Sequence, residues 1–126
     1  MNVAEGGSMH QHIPDLLKNH DHEGGNLQEY SVEPGSKSAE MMGVTSAKGK
    51  SYHHQSIDEL GQGIKVVGKC EDGIVEVIES TERPWMIGLQ WHPERTPDEP
   101  SSKNIFKNFI IAARAFHEQK QGNLVK

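Results

Sequence analysis

The sequence predicts a three-layer α/β domain with a mostly parallel central sheet, and three segments favour this class. Ile64–Cys70 and Ile74–Ser80 flank Glu71-Asp72-Gly73, and Asp-Gly between two apolar stretches is a strong hairpin signal. Trp85–Trp91 is nearly continuous in apolar residues, which is typical of a strand buried on both faces under helices. From Ser101 to Gln119 apolar residues recur at helical spacing, which predicts one long amphipathic helix.

Glycine, proline and local periodicity predict the shorter elements of the N-terminal half. Met1–Ala4 is predicted to be the last turn of a helix that stops at Gly6-Gly7. The other elements are a short helix at Ile13–Leu17, a strand at Gln28–Glu33, and a short helix at Ser38–Met42 that ends at Gly43. On the strand, Tyr30 and Val32 are expected on one face because side chains alternate. A further helix is expected to begin near Ser56. The C-terminal helix is expected to be capped by Ser101 or Ser102 and to end at Gly122.

Composition and charge limit the classes of protein to which this chain can belong. The 126 residues suit a single domain spanning 1–126. Thirteen Lys and Arg oppose 18 Asp and Glu, giving a net charge of −5, and the basic residues are scattered, which argues against nucleic acid or a membrane surface as the partner. The chain shows neither an apolar run of about 20 residues nor the start of a signal peptide. A single cysteine, Cys70, fits a reducing compartment, so we expect a cytoplasmic protein.

The stretch Leu89-Gln90-Trp91-His92-Pro93-Glu94 places a histidine and a carboxylate two residues apart. If strand geometry continues, His92 and Glu94 leave the backbone on the same side and can touch. A carboxylate that accepts one imidazole N–H fixes the tautomer, which leaves the other nitrogen free to move a proton to and from a nucleophile. The same spacing is equally typical of a surface His–Glu pair after a strand.

Four stretches, in order along the chain, resemble the second half of the class I glutamine amidotransferase-like hydrolases: NVAEGGSMHQHIP, SYHHQ, EDGIVEVIE and GLQWHPE. They are most similar to the γ-glutamyl-GABA hydrolase branch, peptidase family C26. The ending NIFKNFIIAARAFHEQK is similar to the C-terminal helix of that branch. The resemblance implies a three-layer flavodoxin-like class I glutamine amidotransferase fold that lacks its N-terminal part.

The resemblance also implies a Cys-His-Glu triad that cleaves γ-glutamyl amides through a thioester. It assigns His92 as general base and acid and Glu94 as the carboxylate that orients it. The family's cysteine lies in a G-x-C-R-G-x-Q elbow directly before the stretch that matches Met1-Asn2-Val3-Ala4, so we expect the nucleophile outside this chain. Cys70 lies beside a hairpin turn and is expected to be a small strand residue rather than a nucleophile.

The segment Ser51-Tyr52-His53-His54-Gln55 resembles the family's N-S-x-H-H-Q loop, which helps hold the α-amino and α-carboxylate groups of the glutamyl substrate. By position, Tyr52, His53 and His54 are expected to line the substrate pocket. The family asparagine is Lys50 here. Without the resemblance, two adjacent histidines in a solvated loop would be the simpler interpretation.

No metal or cofactor is expected, because this chemistry needs none. The pairs His10/His12 and His20/His22 suggest a metal site, but their spacing matches no strong zinc pattern and no thiolate is near. Solvated histidines are therefore expected.

Three functions remain open. The first is γ-glutamyl amide hydrolysis, for instance of γ-glutamyl-GABA, by a chain that is inactive without its upstream cysteine. The second is a non-catalytic γ-glutamyl-binding or regulatory protein. The third is an enzyme, including a glutamine amidotransferase subunit, that is completed by a partner chain. Because strands of the domain are expected to be absent, we expect low solubility, self-association or a partner chain on the surface left by the missing part.

Overall fold

The computed structural model describes residues 1–124, and strands and helices occur in the first and the second half of the chain. In chain order they are a 3-10 helix Val3–Glu5, β1 Met9–His10, α1 Ile13–Leu17, β2 Asn26–Val32, α2 Lys37–Met42, β3 Ser46–Ser51, β4 Ser56–Ile57, β5 Ile64–Cys70, β6 Val75–Ser80, β7 Ile87–Leu89, a second 3-10 helix Pro93–Arg95, and α3 Pro100–Leu124. Across residues 1–124, no helix combines the length and the apolarity needed to span a bilayer.

A five-stranded sheet with the order β3-β2-β5-β6-β7 forms the centre of the structure, and β1 pairs separately with β4. The α/β class is confirmed. The prediction of a mostly parallel sheet is wrong for the described residues, because every strand pair among them is antiparallel. For the pairs β5–β6 and β6–β7 the short links account for this, since a parallel connection needs a crossover of a dozen residues or more.

The local predictions around β2, α2 and the β5–β6 hairpin are confirmed. Tyr30 and Val32 on β2 are both buried. At the start of α2 the Ser36 hydroxyl accepts a hydrogen bond from the Ala39 N–H, and α2 ends at Gly43 in the left-handed conformation at φ 70°. These elements were predictable because turn and cap residues act over a few positions.

The prediction of a doubly buried strand over Trp85–Trp91 is wrong. Only Ile87–Leu89 forms a strand, its residues are half-buried, and Trp85 is 45% exposed. Strand β7 lies at the edge of the sheet and pairs with β6 alone. Within the described residues, the apolar run thus lacks the second neighbouring strand that its composition suits.

Two helix predictions also differ from the structure. Ser56 lies in the short strand β4 instead of starting a helix, because it pairs with His10. Helix α3 begins at Pro100 and continues through Gly122 to Leu124, so Ser101 lies inside the first turn. Proline suits this first turn because its missing N–H would have no partner there.

The hydrophobic core lies between the sheet and the helices α2 and α3. It contains Tyr30, Val32, Ala39, Met41, Met42, Ala47, Val67, Cys70, Val77, Trp91 and Ile105. Only the first part of the α3 apolar stripe reaches this core, since Ile105 is buried but Phe109 and Phe116 are 56% and 64% exposed. Side chains alternate along β6, so Val77 and Glu79 face α2 while Glu76 and Ile78 face the opposite side, toward the N-terminal segment.

Candidate active site

The backbone before His92 is fixed by aromatic packing. The buried Trp91 ring stacks on Tyr30 with centroids 4.4 Å apart, and the absence of a side chain at Gly49 leaves room for it. The His92 N–H donates to the Lys50 carbonyl at 3.3 Å. Strand β3 and the Trp91 ring therefore hold the base of the His92 side chain in place.

His92 and Glu94 form a close pair. The distance from His92 Nδ1 to Glu94 Oε1 is 2.6 Å. Pro93–Arg95 is a 3-10 helix, so the contact forms through a tight turn rather than through the continued strand on which the sequence prediction depended. With Nδ1–H donating to the carboxylate, the His92 tautomer leaves the Nε2 lone pair free to accept a proton.

The hydrogen bond from His92 is the main reason that the pKa of Glu94 lies below its ordinary value, with a backbone hydrogen bond adding to it. Glu94 therefore stays ionised at mildly acidic pH, where an ordinary carboxyl begins to take up a proton. The two side chains are 45% and 53% exposed. The pair is thus open to solvent and accessible to a second reactant.

Tyr52 lies against this pair. Its ring meets the His92 ring edge-on with centroids 5.3 Å apart, and the Arg95 guanidinium lies 5.5 Å from the Tyr52 ring centroid. The structure thus brings Tyr52, His92, Glu94 and Arg95 together on one face, hereafter the dyad surface.

The structure turns the His53 side chain away from the dyad surface. His53 is buried; its Nδ1 lies 2.9 Å from the Gln55 carbonyl and its Nε2 lies 3.2 Å from Glu76 Oε1. His54 is exposed, with its ring centroid 6.0 Å from that of His12. Successive side chains point to opposite sides of an extended backbone, so Tyr52 and His53 diverge.

His22 is also buried, so the prediction of solvated histidines is wrong for this residue. Its Nε2 lies 2.6 Å from Asp72 Oδ2 and its Nδ1 lies 3.3 Å from Glu76 Oε1. Burial lowers the pKa of His22, but the nearby carboxylates of Glu76 and Asp72 outweigh burial and raise the pKa above its ordinary value. His20, two residues earlier, is 71% exposed, as predicted.

Cys70 is buried at the end of β5, with its sulfur 3.6 Å from Glu76 Oε1. Burial, followed by the negative charge of Glu76, raises the pKa of the Cys70 thiol far above its ordinary value. A thiol held protonated is a poor nucleophile. Cys70 is a small buried strand residue, as predicted.

A cleft of about 370 Å³ lies beside the β6–β7 edge, and Gln55, Glu76 and Gln90 contribute its polar lining. Neither His92 nor Glu94 lines this cleft. The dyad surface and the cleft are therefore two distinct features of the described residues.

Two residues of this region, Glu76 and Arg95, were not identified from the sequence. One signal pointed to Glu76: it lies between two valines in a strand, and buried charges are rare unless they are paired. No comparable signal marks Arg95, because its place over Tyr52 depends on tertiary structure.

Known proteins match this chain in sequence. The sequence model of the peptidase C26 family matches residues 1–94. A Mycobacterium tuberculosis protein inferred to be a glutamine amidotransferase is 36% identical over 121 residues, covering 92% of this chain and 38% of that protein. A CTP synthase of Caulobacter is 32% identical over 102 residues, covering 75% of this chain and 18% of that enzyme. The chain thus spans well under half of these relatives.

Solved structures show the same fold. One is a Thermoplasma acidophilum protein described as a subunit of GMP synthase. It superposes with a TM-score of 0.73 at 18% identity, and the match covers 95% of this chain and 55% of that one. A glutamine amidotransferase of Methylobacillus flagellatus gives a TM-score of 0.55 at 16% identity, covering 74% of this chain and 33% of that one. The predicted glutamine amidotransferase-like fold is confirmed.

Proposed function

This chain belongs to the peptidase C26 family, and from that membership we propose that it contributes to hydrolysis of the γ-glutamyl amide bond of small compounds such as γ-glutamyl-GABA. The observation that carries the proposal is the 2.6 Å contact between His92 Nδ1 and Glu94 Oε1 on a solvent-accessible surface. This geometry leaves Nε2 of His92 as a base of fixed orientation.

In the proposed reaction, His92 Nε2 takes the proton of a cysteine thiol while the sulfur attacks the γ-carbonyl carbon. The same proton passes to the leaving amine as the C–N bond breaks, which gives a thioester. Water then attacks the thioester with His92 again as the base, and glutamate leaves as the thiol is restored. Glu94 stabilises the imidazolium that forms in both steps.

The nucleophilic cysteine is proposed to lie outside these 126 residues. The sequence contains one cysteine, Cys70, and its burial and raised pKa oppose this role. The edge strand β7, which leads directly to His92, has a partner on one side only among the described residues. We propose that a further segment or a partner chain, carrying the cysteine, packs beside β7, and that residues 1–126 alone do not turn over substrate.

Tyr52, His53 and His54 are proposed to hold the glutamyl group. Tyr52 does so through its ring beside His92. His53 contributes backbone atoms, because its ring is buried against Glu76, while His54 presents an exposed ring. The guanidinium of Arg95 is suited to pair with the α-carboxylate of the substrate.

A second candidate is a glutaminase component that supplies ammonia to a synthase. It is favoured by the sequence match to a CTP synthase. The dyad chemistry is the same for both candidates, so they differ in substrate and partner.

The test is hydrolysis by the protein isolated from its source cells, measured as amine release from γ-glutamyl-GABA and as ammonia release from glutamine. We expect His92→Ala to lower kcat/KM by roughly 10²- to 10⁴-fold. His117→Ala, an exposed histidine on α3, is the matched control and should have no effect. Preference for glutamine would favour the synthase component. Binding of γ-glutamyl-GABA with turnover of neither γ-glutamyl-GABA nor glutamine would contradict both candidates and indicate a binding protein.

A further inference from the structure

Three buried side chains from separate parts of the chain converge behind the dyad surface. His22 comes from the loop before β2, His53 from the loop after β3, and Glu76 from β6. One ligating atom from each lies within 4.8 Å of the other two. His22 and Glu76 are each 1% exposed. We propose that this His22–His53–Glu76 cluster binds a divalent transition-metal ion, with zinc as the best fit.

Each of the three side chains carries a buried polar atom that lacks a hydrogen-bond partner. His22 Nδ1, His53 Nε2 and Glu76 Oε2 are buried without any partner within the described residues. The distances from His22 Nδ1 and His53 Nε2 to the other oxygen, Glu76 Oε1, are 3.3 and 3.2 Å. Buried polar atoms are nearly always satisfied, so one unsatisfied atom on each of three converging side chains indicates that a ligand belongs between them.

The distances match those around zinc. Zinc binds imidazole nitrogen and carboxylate oxygen at about 2.0–2.1 Å in tetrahedral sites, which places neighbouring ligand atoms about 3.3–3.4 Å apart. The distances from His22 Nδ1 and His53 Nε2 to Glu76 Oε1, 3.3 and 3.2 Å, are close to this separation. Two imidazoles and one carboxylate are also a donor set that zinc accepts.

Both imidazoles are oriented as metal ligands are. The second nitrogen of His22 lies 2.6 Å from Asp72 Oδ2, and that of His53 lies 2.9 Å from the Gln55 carbonyl. Each acceptor fixes the proton on the outer nitrogen and leaves a lone pair on the inner one. Outer carboxylate and carbonyl partners of this kind accompany most metal-binding histidines.

Charge favours the same conclusion. With neutral imidazoles, Glu76 and Asp72 give the cluster two negative charges, and Glu76 is fully buried. A buried carboxylate without compensation is costly, and a divalent cation brings the sum to zero. The cleft lined by Glu76 and Gln55 borders the cluster at Glu76.

The experiment is zinc binding by the purified untagged protein, measured as metal per chain by mass spectrometry after dialysis and by Co²⁺ absorption after the metal is removed. We expect one zinc per chain and a tetrahedral Co²⁺ spectrum. Glu76→Gln should abolish both, and His20→Gln, which alters an exposed histidine two residues from His22, should change neither.

Asp72→Asn covers the case in which Glu76→Gln does not fold. Asp72 is an outer partner with its side chain 26% exposed, and its loss should weaken zinc binding about 10- to 100-fold. Absence of zinc and of a Co²⁺ spectrum from the folded wild type would overturn the proposal. Equal zinc affinity of the wild type and Asp72→Asn would overturn it as well. In either case the cluster would be a proton-sharing network around His22.

Discussion

Trp91→Ala is expected to remove the support beneath His92 and to cost a large share of the stability of the fold. Trp91 is 3% exposed and stacks on Tyr30. A buried tryptophan removes about 150–250 Å² from water, which at about 25 cal/mol per Å² is roughly 4–6 kcal/mol. Measured large-to-small substitutions give about 3–5 kcal/mol. We therefore expect a loss of about 4 kcal/mol in the free energy of unfolding.

Gly49→Ala tests the same contact from the opposite side. A Cβ at position 49 would lie 2.3 Å from Cδ1 of Trp91, so the substitution should cost about 1–3 kcal/mol in the wild type. In the Trp91→Ala background the clash is gone, and alanine in a strand is otherwise preferred to glycine by about 0.5–1 kcal/mol. The two substitutions should therefore be non-additive by at least about 1 kcal/mol.

The assay is urea unfolding of the single and double variants, followed by far-UV circular dichroism because tryptophan fluorescence changes with the substitution. Trp85→Ala is the matched control, since Trp85 is 45% exposed and its loss should cost less than about 1 kcal/mol. If Trp91→Ala leaves too little folded protein, Trp91→Leu takes its place. Additivity within about 0.5 kcal/mol would refute the claim that Gly49 makes room for Trp91.

Three further predictions follow from individual contacts. Because the Glu94 pKa is lowered chiefly by His92, the stability it contributes is present above the ordinary value of 4.5 and disappears as pH falls through the lowered pKa. An NMR titration should then show the Glu94 pKa rising toward 4.5 in His92→Ala, and an unchanged pKa would contradict the pairing. Cys70 is buried with a raised pKa, so a thiol reagent should modify it at neutral pH only after unfolding; rapid reaction of the folded protein would show that the site is open. Ser36→Ala removes the cap hydrogen bond to the Ala39 N–H and should cost about 1 kcal/mol in urea unfolding, whereas an unchanged midpoint would mean that the cap contributes nothing.

Features that depend on neighbouring residues were predictable from the sequence. The Asp72-Gly73 turn and the cap glycine of α2 act over a few positions, and both were found where predicted. The His92–Glu94 contact also depends on residues two positions apart. The resemblance to a known family supplied the chemistry that spacing alone left open.

Features that depend on distant residues were not predictable. Two strands and a helix separate His22 from His53, and two further strands lie between His53 and Glu76, so no local pattern reveals that their side chains meet. The antiparallel sheet and the edge position of β7 likewise depend on which strands pair, and apolar composition does not specify this. The exposed end of the α3 stripe shows that helical periodicity identifies an apolar face without identifying what covers it.

The most direct test of the proposed dyad is to label the protein isolated from its source cells with a thiol-alkylating glutamine analogue, 6-diazo-5-oxo-L-norleucine, and to map the labelled peptide by mass spectrometry. We predict one labelled cysteine that lies outside residues 1–126, with labelling lost in His92→Ala. Labelling of Cys70, or labelling that persists without His92, would contradict the assignment of His92 and Glu94 as the dyad that activates an external nucleophile.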